Sequence, residues 1–587
     1  MNIRSIFTIL FLALAYLGNA QWYDPSEYLE GQAWPDETKS TYDRLPARAE
    51  GSVAGDVWGN SLRSAGLMVR FRSNAKNIVI RYGVSDKNFG MNHMPATGKS
   101  GVDLYAIDSD GKELWCAGRR SFSDTIVYRF NHLNPNDRYH KKGREYRLYL
   151  PLYNHVEWME IGVDDGDYFE FVSPRPEKPI VVYGTSIAQG ACALRPGMAW
   201  TAIVGRAMDR PLINLGFSGS GRLEQPVLDL IAEIDAKVYV LDCLPNLSLT
   251  AWEKYKIKSD QDLIDRVLNA VRFLKSKHPE TPVLLVEHAG YTEAGVSEKR
   301  EKDYAVVNDL QEEAFRQLKE EGVQGLFYLT KEDIGLSVDA MVDGVHPTDL
   351  GMMQYAVAYE KKLRSILAEP TGFFSTTLPI TQYREPGNYD WEKRHLEILA
   401  LNKSNPPKQV IIANSIVHYW GGKPAANMAR DSESWDKIFT PAGLRNMAYG
   451  WDRIENVLWR VYHGELDGFE AKRVLVMIGT NNIHLNSDEE IIAGLDLLVE
   501  AIKNRQPKAE IVLMGLLPRR DYVERIQALN LEIARLSEKH RIKYDYLGNV
   551  FVDDDGNLKE ELFSDGLHPN LEGYQKMSGH LANIVKQ

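Results

Sequence analysis

The chain has 587 residues, 44% hydrophobic and 26% charged; this is too long for a single core, and the balance excludes a largely disordered protein. Its formal charge of -12 argues against nucleic acid as a partner, because phosphate contacts need clustered Lys and Arg.

The first twenty residues, MNIRSIFTILFLALAYLGNA, hold one basic residue, an apolar run from Ile6 to Leu17 and a small-residue end at Gly18-Asn19-Ala20. This is the pattern of a secretory signal cut after Ala20. The run is short for a membrane span, and no cysteine follows it to carry a lipid. No later segment is long and apolar enough to cross a bilayer, so the expected location is periplasmic or secreted, without stable membrane insertion. Three cysteines remain, Cys116, Cys192 and Cys243, too few for a disulfide scaffold.

Residues 21–177 read as short alternating strands such as GLMVRFRS, KNIVIRYGV and GVDLYAID, separated by Gly, Asn and Asp turns. Such a run predicts an antiparallel β-sandwich of jelly-roll type. Trp115, Tyr128, Tyr146, Tyr153 and Trp158 are either sugar-stacking aromatics or intersheet packing. Residues 178–369 change texture: the apolar strands PIVVY, KVYVL and TPVLLVE alternate with amphipathic helices such as QDLIDRVLNAVRFLKSKH, the mark of a doubly wound α/β domain. A proline-containing connector, 370–390, precedes a second α/β pattern over 391–587, with strands KQVIIA, RVLVMIG and AEIVLMG.

Two phrases tie the α/β halves together: DGVHPTDLG begins at Asp343 and DGLHPNLEG at Asp565, a separation near domain size. Upstream of the first stands Ser186, in GTSIAQG directly after a strand, where a turn into a helix exposes the hydroxyl at the carboxyl edge of a parallel sheet. That serine is either a helix cap or a nucleophile. The pair Asp343/His346 favours the second role, since a hydroxyl needs a base and the imidazole needs an orienting carboxylate. Gly219 in NLGFSGSG and Asn246 in LDCLPN are candidate oxyanion donors beside the Ser186 N–H.

With these residues in order, the chain resembles the SGNH (GDSL-type) hydrolases, and does so twice. The first copy, through YGTSIAQGACALRPGMAW and DGVHPTDLG, is similar to carbohydrate esterases of Bacteroidetes type with a β-sandwich ahead of the catalytic domain. The second, through YGWDRIENVLWRVYHGELDG and VLVMIGTNNIHL, is similar to the platelet-activating-factor acetylhydrolase branch. The resemblance implies two three-layer α/β/α, flavodoxin-like domains after the sandwich, and for the second copy a catalytic set of Ser415, Asp565 and His568 with Gly450 and Asn481 in the oxyanion hole. It implies no cofactor. The usual Gly-Asp-Ser reads Gly184-Thr185-Ser186 in one copy and Ala413-Asn414-Ser415 in the other, and loss of the glycine is expected to remove conformational freedom at the second turn. Ser186 precedes Asp343 by 157 residues and Ser415 precedes Asp565 by 150, as two copies of one fold would.

Cys192 and Cys243 fall in segments beside the first serine and are either bridged or two buried thiols. Arg195, Trp200, His418 and Trp420 follow the two serines closely and are candidate substrate-lining residues. No Cys/His/Asp/Glu spacing suggests a metal. The function these features imply is a secreted serine esterase that removes acetyl groups from a plant-type polysaccharide or its oligosaccharides, with two catalytic domains of different specificity. The alternatives are a lysophospholipase or short-chain lipid acylhydrolase, and a glycan-binding protein with one inactive hydrolase domain.

Overall fold

A computed structural model describes residues 20–135, 142–384 and 387–586; apart from Ala20, the signal segment lies outside these described residues. The chain divides into two compact units, one formed by residues up to 106 with 113–135 and 142–366, the other by 107–112 with 367 onward.

The N-terminal strands form two antiparallel sheets. One runs β1 (Ala20–Tyr23), β10 (Val156–Asp164), β4 (Ile78–Val84), β8 (Ile126–Phe130), β7 (Arg119–Ser121); the other runs β11 (Phe169–Val172), β3 (Met68–Ser73), β9 (Arg144–Tyr149), β5 (Asp103–Ile107), β6 (Glu113–Cys116), with β2 (Leu29–Glu30) beside β3. Alternation decides the faces: in β4, Ile78, Ile80, Tyr82 and Val84 are buried while Val79 and Arg81 are half-exposed, as the pleat requires. Tyr128, Tyr146 and Tyr153 pack inside. Trp115 and Trp158 do not, being 53% and 39% exposed.

Behind the sandwich, β12 (Ile180–Gly184) lies between β13 (Leu212–Gly216) and β14 (Val238–Asp242), followed by β15 (Val283–Val286) and β16 (Leu326–Leu329), all parallel. The second unit repeats the order: β17 (Gln409–Ala413) between β18 (Leu444–Ala448) and β19 (Arg473–Met477), then β20 (Glu510–Met514) and β21 (Lys543–Asp545). Both sheets therefore have the flavodoxin-like strand order, whose switch point lies where the first strand meets its two neighbours. Helices start where the sequence supplies caps: Ser259 and Ser297 cap Asp260–Lys277 and Glu298–Glu320, and Ser487 with Glu490 forms a capping box for Asp488–Arg505.

Within the first unit the sandwich seals the sheet edge. Arg44, wholly buried, donates from Nη1 to the Asn214 and Gly216 carbonyls of edge strand β13, each at 2.9 Å. Arg147 pairs with Asp209 at 2.9 Å and Arg206 with Glu113 at 3.0 Å. An exposed edge would invite pairing with another chain; here its carbonyls are taken.

The buried carboxyl at the end of β14 is a pH-sensitive element of this unit. Asp242 Oδ2 accepts from Tyr359 Oη at 2.9 Å, and burial pushes the carboxyl up to about 7 against that hydrogen bond. The folded protein then binds a proton that the unfolded chain releases near 3.8, so this contribution to stability is complete below about pH 4 and is lost as pH rises through 7. It amounts to something on the order of 4 kcal/mol. Asp242→Asn keeps an acceptor for Tyr359 and cannot ionise, so its stability relative to the natural protein should improve from pH 4 to about pH 7 and level off above that. Thermal melts across that range check this, and a difference independent of pH would refute it.

Candidate active site

At the switch point of each sheet, the central strand turns straight into a short helix, Ser186–Gln189 in one copy and Ser415–His418 in the other. Thr185 Oγ1 accepts from the Ile187 N–H (3.3 Å) and Asn414 Oδ1 from the Ile416 N–H (3.0 Å). Both cap residues have φ -101°, so the departures from Gly-Asp-Ser exchange one cap for another. The expected loss of freedom at Ala413 does not arise. Its counterpart Gly184 lies in extended strand, not in the left-handed region, and alanine adopts that backbone without strain.

The repeated Asp-Gly-x-His-Pro phrase is a tight loop pinched by one antiparallel bridge, Met341 with Pro347 and Phe563 with Pro569. Its glycines have φ +88° and +78° at Gly344 and Gly566, a left-handed backbone in which any side chain is strained. The three-residue spacing lets one carboxylate hold the whole histidine. Asp343 Oδ1 accepts from the His346 backbone N–H (2.9 Å), while Oδ2 lies 2.8 Å from the ring Nδ1. In the second copy Asp565 makes the same contacts to His568 at 2.7 and 2.7 Å. With Nδ1–H donating to the carboxylate, Nε2 is left as acceptor, and it lies 2.9 Å from Ser186 Oγ in one copy and 2.8 Å from Ser415 Oγ in the other. Burial raises both carboxyls, but hydrogen bonds from their histidines outweigh it and hold Asp343 and Asp565 below the usual range.

Strand register equates Asn214 with Asn446 and Asn246 with Asn481, and so aligns the oxyanion turns. Gly219, at φ +69°, is matched in the second copy by Trp451 at φ +61°, one residue beyond the expected Gly450. Gly450 is corrected on this ground: its N–H is given to His418 Nδ1 at 3.0 Å. The equivalent contact in the first copy runs from Ser218 N–H to Gln189 Oε1 at 2.9 Å. The Gly219 and Trp451 N–H groups meet no protein acceptor among the described residues. Asn246 Oδ1 accepts from the Gly221 N–H (3.1 Å), leaving its amide donors open, and Asn481 spends one hydrogen on the Asp452 carbonyl (2.9 Å). Each copy thus offers two backbone donors and one side-chain amide around its serine.

Several expected lining residues lie elsewhere. His418 is buried, and burial together with Arg394 and Arg460 pushes its imidazole well below the ordinary value; it is a neutral acceptor that fixes the oxyanion turn. Trp200 stacks on Tyr359 at 4.0 Å in the interior. Trp420 is buried against Trp435, Phe439 and Tyr574. Both indoles fill the space behind the nucleophile helix and do not reach substrate. Arg195 Nη1 is bound to Asp103 Oδ2 and, at 2.6 Å, to Tyr105 Oη, and its guanidinium lies 4.6 Å from the centroid of the exposed Trp115 ring. Cys192 and Cys243 are not bridged: both are free and buried, and the Cys243 thiol donates to the Tyr183 carbonyl at 3.6 Å. Among the described residues no group of three or more His, Cys, Asp or Glu is placed to hold a metal, and no helix is long and apolar enough to cross a membrane.

Two sets of residues escaped the sequence reading. Asn214 and Asn446 sit within buried strands; their Nδ2 atoms donate to the Ala188 and Val417 carbonyls, each at 2.7 Å, and their Oδ1 atoms accept from Gly216 and Ala448 N–H at 2.8 and 2.9 Å. The available signal was an asparagine inside an apolar strand, since such a buried amide must find partners. Asp103 and Tyr105 of the sandwich hold the loop after Ser186, with Asp103 Oδ2 also taking the Gly197 N–H at 3.0 Å. The sandwich further places Tyr153 Oη on the Ser186 carbonyl at 3.2 Å and the exposed His93 ring 6.0 Å from that of His346. At Ser415 there is an open cavity of about 240 Å³, lined also by Tyr419, Trp451, His484, Arg519 and Tyr522.

Comparison with known proteins agrees with this geometry. The GDSL-like Lipase/Acylhydrolase family is matched twice, by one family model over residues 177–364 and by another over 414–576. A third, GxDLY, described as the N-terminus of Esterase_SGNH_hydro-type, matches 20–169, where residues 101–105 read Gly-Val-Asp-Leu-Tyr. The chain is 30% identical over 209 residues to Platelet-activating factor acetylhydrolase IB subunit alpha2 of Homo sapiens, covering 34% of this chain and 86% of that protein. To the alpha1 subunit of Homo sapiens it is 30% identical over 204 residues, 34% of this chain and 84% of that one. A crystal structure of a GDSL-like lipase from Bacteroides ovatus ATCC 8483 superposes with TM-score 0.53 at 28% identity, over 60% of this chain and 98% of that one.

The asparagine clasp yields a test. Asn214→Ala strips the Ala188 carbonyl and the Gly216 N–H of their buried partner, at about 1–3 kcal/mol for each orphaned group, and frees the nucleophile helix from the oxyanion turn. It should lower the melting temperature of the first unit and reduce ester turnover at least tenfold, measured with Ser415 replaced by alanine. Asn446→Ala should do the same to the second site with Ser186 replaced. Unchanged turnover in either protein would show that the clasp does not position that site.

Proposed function

The chain belongs to the GDSL-like lipase/acylhydrolase (SGNH hydrolase) family and is a carboxylic ester hydrolase with a serine nucleophile; from that premise we propose that it removes acetyl groups from a plant-type polysaccharide or its oligosaccharides, using Ser186 and Ser415 as two nucleophiles of different specificity. The observation that carries this reading is the pair of Ser–His–Asp chains, each facing three open hydrogen-bond donors.

In the first site Ser186 Oγ attacks the acetyl carbonyl as its proton passes to His346 Nε2, and Asp343 stabilises the imidazolium that results. The oxyanion is received by the N–H groups of Ser186 and Gly219 and by the Asn246 amide. A single donor of this kind contributes about 3 kcal/mol in the transition state. Collapse expels the sugar oxygen, which takes the proton from His346, and leaves an acetyl-serine. Water then gives a proton to His346 and attacks the acyl carbon, and acetate departs as the serine recovers its hydrogen. Ser415, His568 and Asp565 follow the same course, with Trp451 N–H in the place of Gly219.

An acetyl group is supported by the name of the curated relatives, which are acetylhydrolases. A sugar as the alcohol is supported by the exposed Trp115 beside Arg195 and by the aromatic walls of the cavity at Ser415. The basic, apolar and small-residue pattern of residues 1–20 supports action outside the cytoplasm. The relatives' name also keeps a short-chain lipid acetylhydrolase as the second reading.

Divided labour is supported by the exchange of Gly219 for Trp451, whose side chain lines the second site alone. Acetate release from acetylated xylan, mannan and pectin oligosaccharides, resolved by ring position with NMR, tests the whole reading. Ser186→Ala and Ser415→Ala should leave different positional profiles, and the double variant should lose at least a thousandfold in rate. Matching profiles would remove the division of labour, and acetate release by the double variant would remove the nucleophile assignment.

A further inference from the structure

The two sites differ in one charge that meets no counter-ion among the described residues. In the first unit the guanidinium that follows the nucleophile, Arg195, is neutralised by Asp103. In the second, Arg519 lines the cavity at Ser415. It gives one N–H, from Nη1, to the Thr480 carbonyl at 3.1 Å, and its guanidinium lies 5.2 Å from the Tyr522 ring centroid. No carboxylate of the described residues comes within 4.0 Å of it. Its neighbours in the chain are spent on acids, Arg520 on Glu560 and Arg525 on Asp488. Arginine carries five N–H donors in a planar fork, so most of this one is left to cavity and solvent. Burial and then Arg519, Arg453 and Arg384 push the imidazole of the cavity-lining His484 below its ordinary value, although Arg384 and Arg453 are themselves paired with Asp110. The acid of the triad, Asp565, is engaged by His568 and by two backbone N–H groups.

A half-buried guanidinium held in place by one carbonyl and one aromatic face, and open to an active-site cavity, is suited to a planar anionic group presented in bidentate fashion. We propose that the Ser415 site selects acetyl esters of anionic sugars, Arg519 receiving the carboxylate of a uronate in the alcohol moiety while Ser415 takes the acetyl group. This rests on the esterase reading above and names the substrate class of its second site. Arg519 acts here as a specificity residue: it touches the alcohol and takes no part in proton transfer. The carbonyl it holds, Thr480, precedes Asn481, so loss of the side chain will also disturb the oxyanion amide. The ratio of acidic to neutral substrate, in which a general catalytic defect cancels, is therefore the quantity to read.

The test uses the full chain with Ser186→Ala, so that only the second site reports. Values of kcat/KM are measured by acetate release from acetylated galacturonate oligomers, from acetylated xylo-oligosaccharides of the same length and from an acetylated sugar phosphate. The acidic oligomer should be preferred at least tenfold over the neutral one, mainly through KM and less so at high salt. Arg519→Gln should bring the ratio close to one, and Arg519→Lys should restore part of it. Parity in the parent protein, or a ratio unchanged by Arg519→Gln, overturns the proposal; preference for the phosphate over the uronate overturns the carboxylate assignment. Calorimetric binding of the galacturonate oligomer to the Ser186→Ala/Ser415→Ala protein separates the two readings. Charge-selective binding lost in Arg519→Gln, with no acetate released by the Ser186→Ala protein from any ester, sinks the esterase reading of this site and leaves the anion assignment standing. Equal binding of acidic and neutral oligomers sinks the anion assignment alone.

Discussion

The geometry of both sites depends on one buried amide that ties the nucleophile helix to the oxyanion turn. Asn214 and Asn446 lie in the strand next to the nucleophile strand, each pulling in the carbonyl two residues after its serine and accepting the N–H at its own strand end. A second tie runs the other way, from Gln189 to Ser218 N–H and from His418 to Gly450 N–H. A helix of four residues cannot hold itself in water. Here its orientation is fixed by hydrogen bonds made where water is excluded, and there an unmade bond is costly. Catalytic donors held in advance need not reorganise when charge develops.

Set side by side, the two copies separate what the chemistry requires from what it leaves free. The Asp-Gly-x-His-Pro loop, the cap before the serine and the asparagine clasp occur twice with nearly equal distances. The residues that fill those roles vary where only a hydrogen-bond function is needed: threonine or asparagine as cap, glutamine or neutral histidine as acceptor. Trp451 is the instructive exchange. The oxyanion turn needs a left-handed residue with a free N–H, which glycine supplies without strain. Tryptophan accepts the strain and adds a side chain, 43% exposed, to the cavity. The same backbone donor thus comes with an aromatic wall in one site and none in the other.

In the first unit the sandwich contributes to the site as well as to the core. Its Arg44 closes the edge of the parallel sheet, its Asp103 and Tyr105 hold the loop that follows Ser186, and its His93 stands beside His346. The glycines on this path are fixed by close approach: a Cβ on Gly197 would meet the Tyr105 ring at 2.5 Å.

The sequence alone carried the fold class and the two α/β copies, and singled out in each the serine, aspartate and histidine that the structure brings within hydrogen-bond distance, because strand-turn-helix order, hydrophobic period and the Asp-x-x-His spacing are local properties that neighbouring residues express directly. It also marked Asn246 and Asn481, which follow strand ends. What it could not express were relations between segments far apart in the chain. Whether Trp200 and Trp420 face substrate or core, whether two cysteines meet, and whether Gly450 or Trp451 offers its N–H depend on strand register and on what else lies within hydrogen-bond reach. Gly450 was implied by the family resemblance, but its N–H donates to His418 Nδ1 and so is not open to an oxyanion. Arg519 is the same case in reverse: nothing near it in the sequence distinguishes it from Arg520, and only packing decided that Arg520 reaches Glu560 while Arg519 lines the cavity and meets no carboxylate among the described residues.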